Sequence, residues 1–265
     1  MLIISIQSQV VHGHVGNSAA VFPMQAEGVN VAAVPTALLS NHPHYPTMRG
    51  RILDADLVAD LLLGVEERGL VERASVLVTG YLGSPAIGAA VADFVERAMG
   101  RNPGLIYLCD PVMGDDDLGV FVADGMAEVF GQRLVPMASL ISPNQFELEL
   151  LTGVKARDVA GLLAAAKAIE ARGCPGVIAT GCVLADTPEG QVETILVTGG
   201  ELARFATPRL PIRPCGTGDL LTGLVAAHLA KGVTPEEALR RAVAGTFEVL
   251  KRTEAAAGEE MSLVR

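Results

Sequence analysis

Gly216-Thr217-Gly218-Asp219 places two glycines directly before a stretch of helical period whose first carboxylate is Asp219. A helix start leaves backbone N–H groups unpaired and carries the positive end of the macrodipole, so this turn reads as an anion hole. Gly216, Thr217 and Gly218 would cradle a transferring phosphoryl group while Asp219 accepts the proton of an attacking hydroxyl. The chemistry such a turn supports is phosphoryl transfer to an alcohol. An acid in the first turn also steadies any helix, and that is the competing structural reading. The face that follows, Leu220, Gly223, Ala226 and Ala227, is small enough to let the helix pack closely and leave Asp219 at its mouth.

Other residues could serve the same chemistry. Asn144 and Glu147 lie three apart, on one side of a helix's first turn, where they could orient a hydrated cation or simply form a capping box. Asp110 follows an apolar run, and Asp115 stands five residues later across a glycine turn. Carboxylates beside a phosphate site make sense with Mg²⁺, because bare they would repel the nucleotide. Asp116 and Asp117 read as a solvated acidic loop. His12-Gly13-His14 has the look of a metal pair, but no third ligand accompanies it locally, so a pocket-lining loop is the preferred reading. Cys215 reads as a small apolar wall residue beside the anion hole, with addition to a bound aldehyde as the alternative.

These residues need a scaffold that brings distant segments to one edge. Short runs rich in Val and Ile predict strands at 2–6, 29–34, 75–79, 105–109, 140–141, 176–180, 193–197 and 203–206. Helical periods predict helices at 17–27, 55–68, 86–99, 126–132, 145–151, 159–171, 219–230 and 235–253, the first bent or restarted at Pro23. Strands without polar alternation, separated by helices, belong to a parallel sheet buried on both faces, which predicts one three-layer αβα domain over residues 1–265. Thr198-Gly199-Gly200 marks an antiparallel hairpin at the sheet edge. In such sheets ligands bind beyond the carboxyl ends of the strands, where Gln7-Ser8, Gly80-Tyr81, Asp110-Pro111, Ser142-Pro143-Asn144 and Thr180-Gly181 fall.

A net charge of −10 opposes nucleic acid and anionic membranes, so any anionic ligand must be held by a local device. Half of the residues are hydrophobic, which implies an extensive core and a buried oligomer surface. Met1 to Ile6 reads as a first strand and not as a signal peptide, and no apolar run is long enough to span a bilayer, so a cytoplasmic protein is expected. Cys109, Cys174, Cys182 and Cys215 have no CxxC spacing, indicating reduced thiols and neither a zinc site nor a disulfide framework.

Six segments resemble, in order, those of the pyridoxal kinases of the ribokinase-like superfamily. They are residues 6–17 (IQSQVVHGHVGN), Ser40-Asn41-His42, Thr79-Gly80-Tyr81, residues 109–115 (CDPVMGD), residues 142–147 (SPNQFE) and Gly216-Thr217-Gly218-Asp219. The resemblance spans nearly the whole chain. It implies a ribokinase-like three-layer αβα sandwich, ATP with Mg²⁺, a monovalent cation, a homodimer, and phosphorylation of the 5′-hydroxymethyl group of pyridoxal or related B6 vitamers. By the same resemblance Ser8, Pro43, His44, Tyr81 and Asp219 face the alcohol, and Asp110, Ser142, Asn144, Glu147, Thr180 and residues 216–218 face the nucleotide, with Asp110 and Glu147 reaching Mg²⁺ through water. The segment through Phe121 would help cover the substrate. Two positions depart from the family's pattern. Pro43 stands where a threonine is common and offers neither hydroxyl nor N–H, and Thr180 stands where some bacterial relatives carry lysine. A hydroxymethylpyrimidine kinase of the same superfamily and a weakly active B6-binding protein are the alternatives.

Overall fold

The computed structural model describes residues 1–264. The Val- and Ile-rich runs assemble a nine-stranded sheet. Its parallel centre consists of β1 (Leu2–Val10), β2 (Asn30–Leu39), β4 (Val76–Thr79), β5 (Ile106–Cys109), β8 (Leu140–Ile141) and β9 (Gly176–Cys182). At one edge β10 (Gln191–Thr198) and β11 (Glu201–Pro208) add the expected antiparallel hairpin. At the other, β3 (Gly50–Ile52) pairs antiparallel with β2. The order across the sheet is β11-β10-β9-β8-β5-β4-β1-β2-β3. Three exposed residues carry too little pattern to announce β3.

Alternate residues of the central strands bury on opposite faces, as the pleat requires. Ile4, Ile6 and Leu77 join one core cluster, under α2 (Ala55–Glu67), α4 (Pro85–Arg101), α6 (Gln145–Thr152) and α7 (Val159–Glu170). Ile3, Val76 and Val78 join the other, under α1 (Asn17–Ala26), α8 (Thr217–Ala230) and α9 (Pro235–Ala255). The result is three layers, helix on sheet on helix. Two further short helices, α3 (Leu70–Arg73) and α5 (Met126–Val129), complete the first layer, and a π-type turn over Phe130–Leu134 continues α5 where a plain helix to 132 is expected. A small hairpin, β6 (Gly114–Asp115) with β7 (Gly119–Val120), stands apart from the main sheet.

Two local departures matter for the site. β1 runs four residues beyond its expected end at Ile6, with a register shift against β2 between Gln7 and Gln9. Ser8 therefore lies within the strand, at an irregularity of the pairing that turns it toward Gly16. The helix expected from residue 219 starts at Thr217, because Gly216 takes φ +79° and serves as its N-cap. Pro23 lies inside α1 without ending it.

Candidate active site

The first backbone bond of α8 runs from the Leu220 N–H to the Gly216 carbonyl, which leaves the N–H groups of Thr217, Gly218 and Asp219 outside the helical ladder. Gly216 is demanded twice over. Its positive φ suits glycine, and a Cβ there would lie 1.8 Å from the His14 carbonyl oxygen. Gly218 has open space on the side where its Cβ would stand. The small face expected on α8 is used: a Cβ at Gly223 would come within 2.9 Å of the Ala20 Cβ, so α8 and α1 meet at close range. That contact aligns two helix starts, and the Gly16 N–H, at the start of α1, serves the Asp219 carboxylate. Gly16 also packs on Ser8, since a Cβ on it would stand 2.4 Å from the serine Oγ.

Behind Asp219 lies a buried polar network. Thr222 Oγ1, one helical turn on, donates to Asp110 Oδ2 at 3.0 Å and shares a 2.9 Å hydrogen bond with Ser142 Oγ. Asp110 and Ser142 leave the ends of the neighbouring strands β5 and β8, so the parallel sheet puts them side by side. Asn144 and Glu147 form a capping box: Asn144 Oδ1 accepts the Glu147 N–H at 2.8 Å, and Glu147 Oε2 accepts the Asn144 N–H at 2.9 Å. Glu147 Oε1 additionally accepts the N–H groups of Met113 (2.8 Å) and Gly114 (3.4 Å), and Asn144 Nδ2 donates to the Gly114 carbonyl at 2.7 Å. The unit thus caps α6 and pins the β6 hairpin to the site at once. Thr180 is brought alongside by a parallel bridge to Asn144 and donates its N–H to the Pro143 carbonyl at 2.9 Å.

Burial governs the electrostatics. Desolvation pushes Asp219 up to about 6, against the partial relief of the Gly16 N–H. Glu147 rises to about 7, chiefly by desolvation, partly offset by its three backbone donors and raised further by the charge of Asp219. Asp110 lies well above the usual carboxylate range, from desolvation first and then from Glu147 and Asp219. Asp219 raises both of the others and Glu147 raises Asp110, so the three carboxylates together favour a cation. No three carboxylates among the described residues converge closely enough to share one ion directly, so these oxygens fit Mg²⁺ held through its own waters, the mode its slow dehydration favours. They would hold it, and its positive charge would keep all three ionised beside a phosphate chain.

The remaining expected residues are distributed around this centre. Tyr81 follows β4, half-buried, with its carbonyl accepting a 2.6 Å bond from Thr36 Oγ1. Pro43 and His44 are exposed on the segment between β2 and β3, and His44 Nδ1 approaches Cys215 Sγ at 3.0 Å. Asp116 and Asp117 are exposed, as expected of a solvated acidic loop, and each is paired. Asp116 pairs with both Nη atoms of Arg157 at 2.7 and 3.0 Å, and Asp117 pairs with Arg213, because both arginines lie across the hairpin from them. The second pair ties the hairpin to the segment that leads into Cys215 and Gly216. Sequence reasoning missed Thr222, although its place three after Asp219 puts it on the same helix side. It also missed Glu260, which accepts from the His14 N–H (3.0 Å) and Tyr45 hydroxyl (2.8 Å) and pairs with His42 Nε2 (2.7 Å). Nothing local in the sequence signals that long-range clasp.

A helix start with unpaired N–H groups beside the Asp219 carboxylate, at the strand ends of a three-layer sheet, is the arrangement of a kinase of the ribokinase-like fold. The family model described as Phosphomethylpyrimidine kinase matches residues 18–264, and the chain belongs to that family. Its curated relatives fall within the pyridoxal kinases. Pyridoxal kinase PdxY of Leifsonia xyli is 41% identical over 264 residues, covering 100% of this chain and 93% of that protein. Pyridoxal kinase PdxY of Granulibacter bethesdensis is 39% identical over 268 residues, covering 100% and 94%. Among solved structures, pyridoxal kinase from Leishmania donovani in complex with ADP and ginkgotoxin matches with a TM-score of 0.91 at 28% identity, over 99% of this chain and 93% of that one.

Proposed function

We propose that this chain transfers the γ-phosphoryl group of ATP to the 5′-hydroxymethyl group of pyridoxal and related B6 vitamers, giving pyridoxal 5′-phosphate and ADP. The observation that carries the reading is Asp219 at the start of α8, beside three backbone N–H groups that the helix leaves free. Asp219 takes the hydroxyl proton as the oxygen attacks phosphorus, and the N–H groups of Thr217, Gly218 and Asp219 meet the charge on the transferring group. Ser8, Pro43, His44 and Tyr81 line the alcohol side. Asp110, Ser142, Asn144, Glu147 and Thr180 serve the nucleotide side, with Asp110 and Glu147 contacting Mg²⁺ through water. Thr180 offers no charge there, and a monovalent cation would supply it. The chain acts as one kinase domain over residues 1–265, as a homodimer, in the cytoplasm. No helix among the described residues is long and apolar enough to cross a membrane.

The relatives carry the name pyridoxal kinase, and solved Leishmania donovani kinases hold ADP with pyridoxamine or pyridoxine, which supports a B6 alcohol as acceptor. These relatives do not favour the alternative acceptor, hydroxymethylpyrimidine; Pro43, which brings no donor to the pocket, is the one feature that keeps it in the assay. Purified protein incubated with Mg-ATP and each of pyridoxal, pyridoxine, pyridoxamine and hydroxymethylpyrimidine, with phosphorylated products followed by mass spectrometry, separates the two. Turnover of the pyridines supports the first reading. Turnover of the pyrimidine alone replaces it with the second.

A further inference from the structure

Four of the chain's five histidines gather at one place, on the loop after β1 and the segment between β2 and β3, around Glu260. Within that group His42, His44 and Cys215 each present a ligand atom, and the three atoms lie within 4.8 Å of one another. We infer that His42, His44 and Cys215 form a binding site for Zn²⁺.

The geometry reaches beyond a chance encounter of polar side chains. Cys215 Sγ and His44 Nδ1 are already 3.0 Å apart. The His42 side chain is only 7% exposed, with Nε2 engaged by Glu260 Oε1 at 2.7 Å and Nδ1 buried without a partner. An unmet imidazole nitrogen in a buried place is unfavourable, and a ligand role would meet it. Glu260 stands to His42 as carboxylates stand to metal-bound imidazoles elsewhere: it fixes the ring and leaves the second nitrogen for the ion. Glu260 is itself held by the Tyr45 hydroxyl and the His14 N–H.

The donor set selects the ion. One thiol and two imidazoles suit zinc and its softer neighbours, whereas Mg²⁺ takes oxygen ligands. Zinc bonds of about 2.0–2.3 Å at tetrahedral angles put donors about 3.5 Å apart, so side-chain shifts on the order of 1 Å complete the set and leave a fourth position for water. The competing reading is a plain thiol–imidazole hydrogen bond beside a Glu260–His42 pair, which leaves His42 Nδ1 unexplained. Among the described residues, the His-x-His pair at 42 and 44, and not the one at 12 and 14, is the one that meets a third ligand. Because His44 also lines the proposed alcohol pocket, metal and acceptor would compete there, a competition that rests on the functional reading whereas metal binding itself does not.

Titration of the full chain with Co²⁺, without nucleotide, tests the site. The expected result is one ion per chain, with a near-ultraviolet thiolate-to-cobalt band and tetrahedral visible bands, displaced by equimolar Zn²⁺. Cys215→Ser should abolish the thiolate band, and His44→Ala should weaken binding by about tenfold or more. Co²⁺ binding without a thiolate band, or with one that survives Cys215→Ser, overturns the inference. Should Cys215→Ser fail to fold, alkylation of the wild-type chain decides, since Cys109, Cys174 and Cys182 are buried. Zn²⁺ should slow modification of Cys215 at least about tenfold, and an unchanged rate sinks the site.

Discussion

Asp219→Asn should cost activity and gain stability, and the structure sets both magnitudes. Replacing the proposed base keeps the shape and one oxygen for the Gly16 N–H but removes the proton acceptor, which is worth about 10²–10⁴-fold in turnover. The stability effect runs the other way. The folded chain holds Asp219 at about 6 where an ordinary aspartate lies at 3.8, so ionising it in place costs up to about 3 kcal/mol. Partial solvent access at this half-buried residue reduces that to about 1–2 kcal/mol. The group's folded value is raised, so the wild type is most stable on its account below pH 3.8 and loses that contribution as pH climbs to 6. Asparagine never ionises, so the variant's advantage opens across that window and stays constant above it. In melting temperature this amounts to about 2–8 °C at pH 7.5. Turnover with Mg-ATP and pyridoxal, read beside thermal melts at pH 4, 5, 6 and 7.5, checks both halves. Near wild-type turnover in the variant refutes the base assignment, and a lower melting temperature at pH 7.5 refutes the account of a desolvated carboxylate.

Gly216→Ala should destabilise by at least about 2 kcal/mol and abolish turnover, because its Cβ meets the His14 carbonyl at 1.8 Å on a left-handed backbone. Gly218→Ala should melt like the wild type, since nothing stands within 4 Å of the added carbon, so any loss of turnover there reports on the phosphate alone. Glu147→Gln should weaken the Mg²⁺ dependence of turnover about tenfold or more, and should cost roughly 1 kcal/mol in a denaturant titration, because glutamine keeps one acceptor oxygen where Glu147 serves N–H groups with both. Thr222→Val removes the hydroxyl that donates to Asp110, so it should raise that carboxyl further and shift the acid limb of the pH–rate profile upward. An unmoved limb would show that Thr222 does not hold Asp110 in its ionised form.

The sheet and its helices were legible because burial on both faces writes uninterrupted Val and Ile runs, and close helix packing writes small residues such as Gly223. Elements of two or three residues, β3 and the β6–β7 hairpin, exist only through their partners and leave no period to read. The same division holds in the site. Asp219, Asp110 and Glu147 stood out because each follows a strand end or opens a helix, positions where sequence and chemistry coincide. Thr222 hid inside an apolar run, its meaning fixed only once Asp110 and Ser142 lay across from it at about hydrogen-bond distance. Glu260 and the joining of Cys215 to the His42–His44 pair depend on contacts across 171 to 246 residues, which no local pattern encodes.

An acidic chain that must bind ATP has a problem of sign, and the geometry indicates how it is resolved. The net charge of −10 and three clustered carboxylates both oppose a phosphate chain. The free N–H groups of α8 supply only partial charges, roughly half an elementary charge for the helix start. They suffice to orient a phosphoryl group but not to balance the carboxylates. The balance has to arrive with the nucleotide, as its divalent cation, and the effect is reciprocal: the cation would draw Asp110, Glu147 and Asp219 back toward their ordinary acidity and so raise the ionised fraction of Asp219 most near and below about pH 6. Proton release on binding Mg-ATP near pH 6 to 7, absent or reduced in Asp219→Asn and Glu147→Gln, is the expected signature in calorimetry across buffers of different ionisation enthalpy. Binding with no buffer dependence would mean that the carboxylates are already ionised in the free protein and that their burial does not couple charge to catalysis.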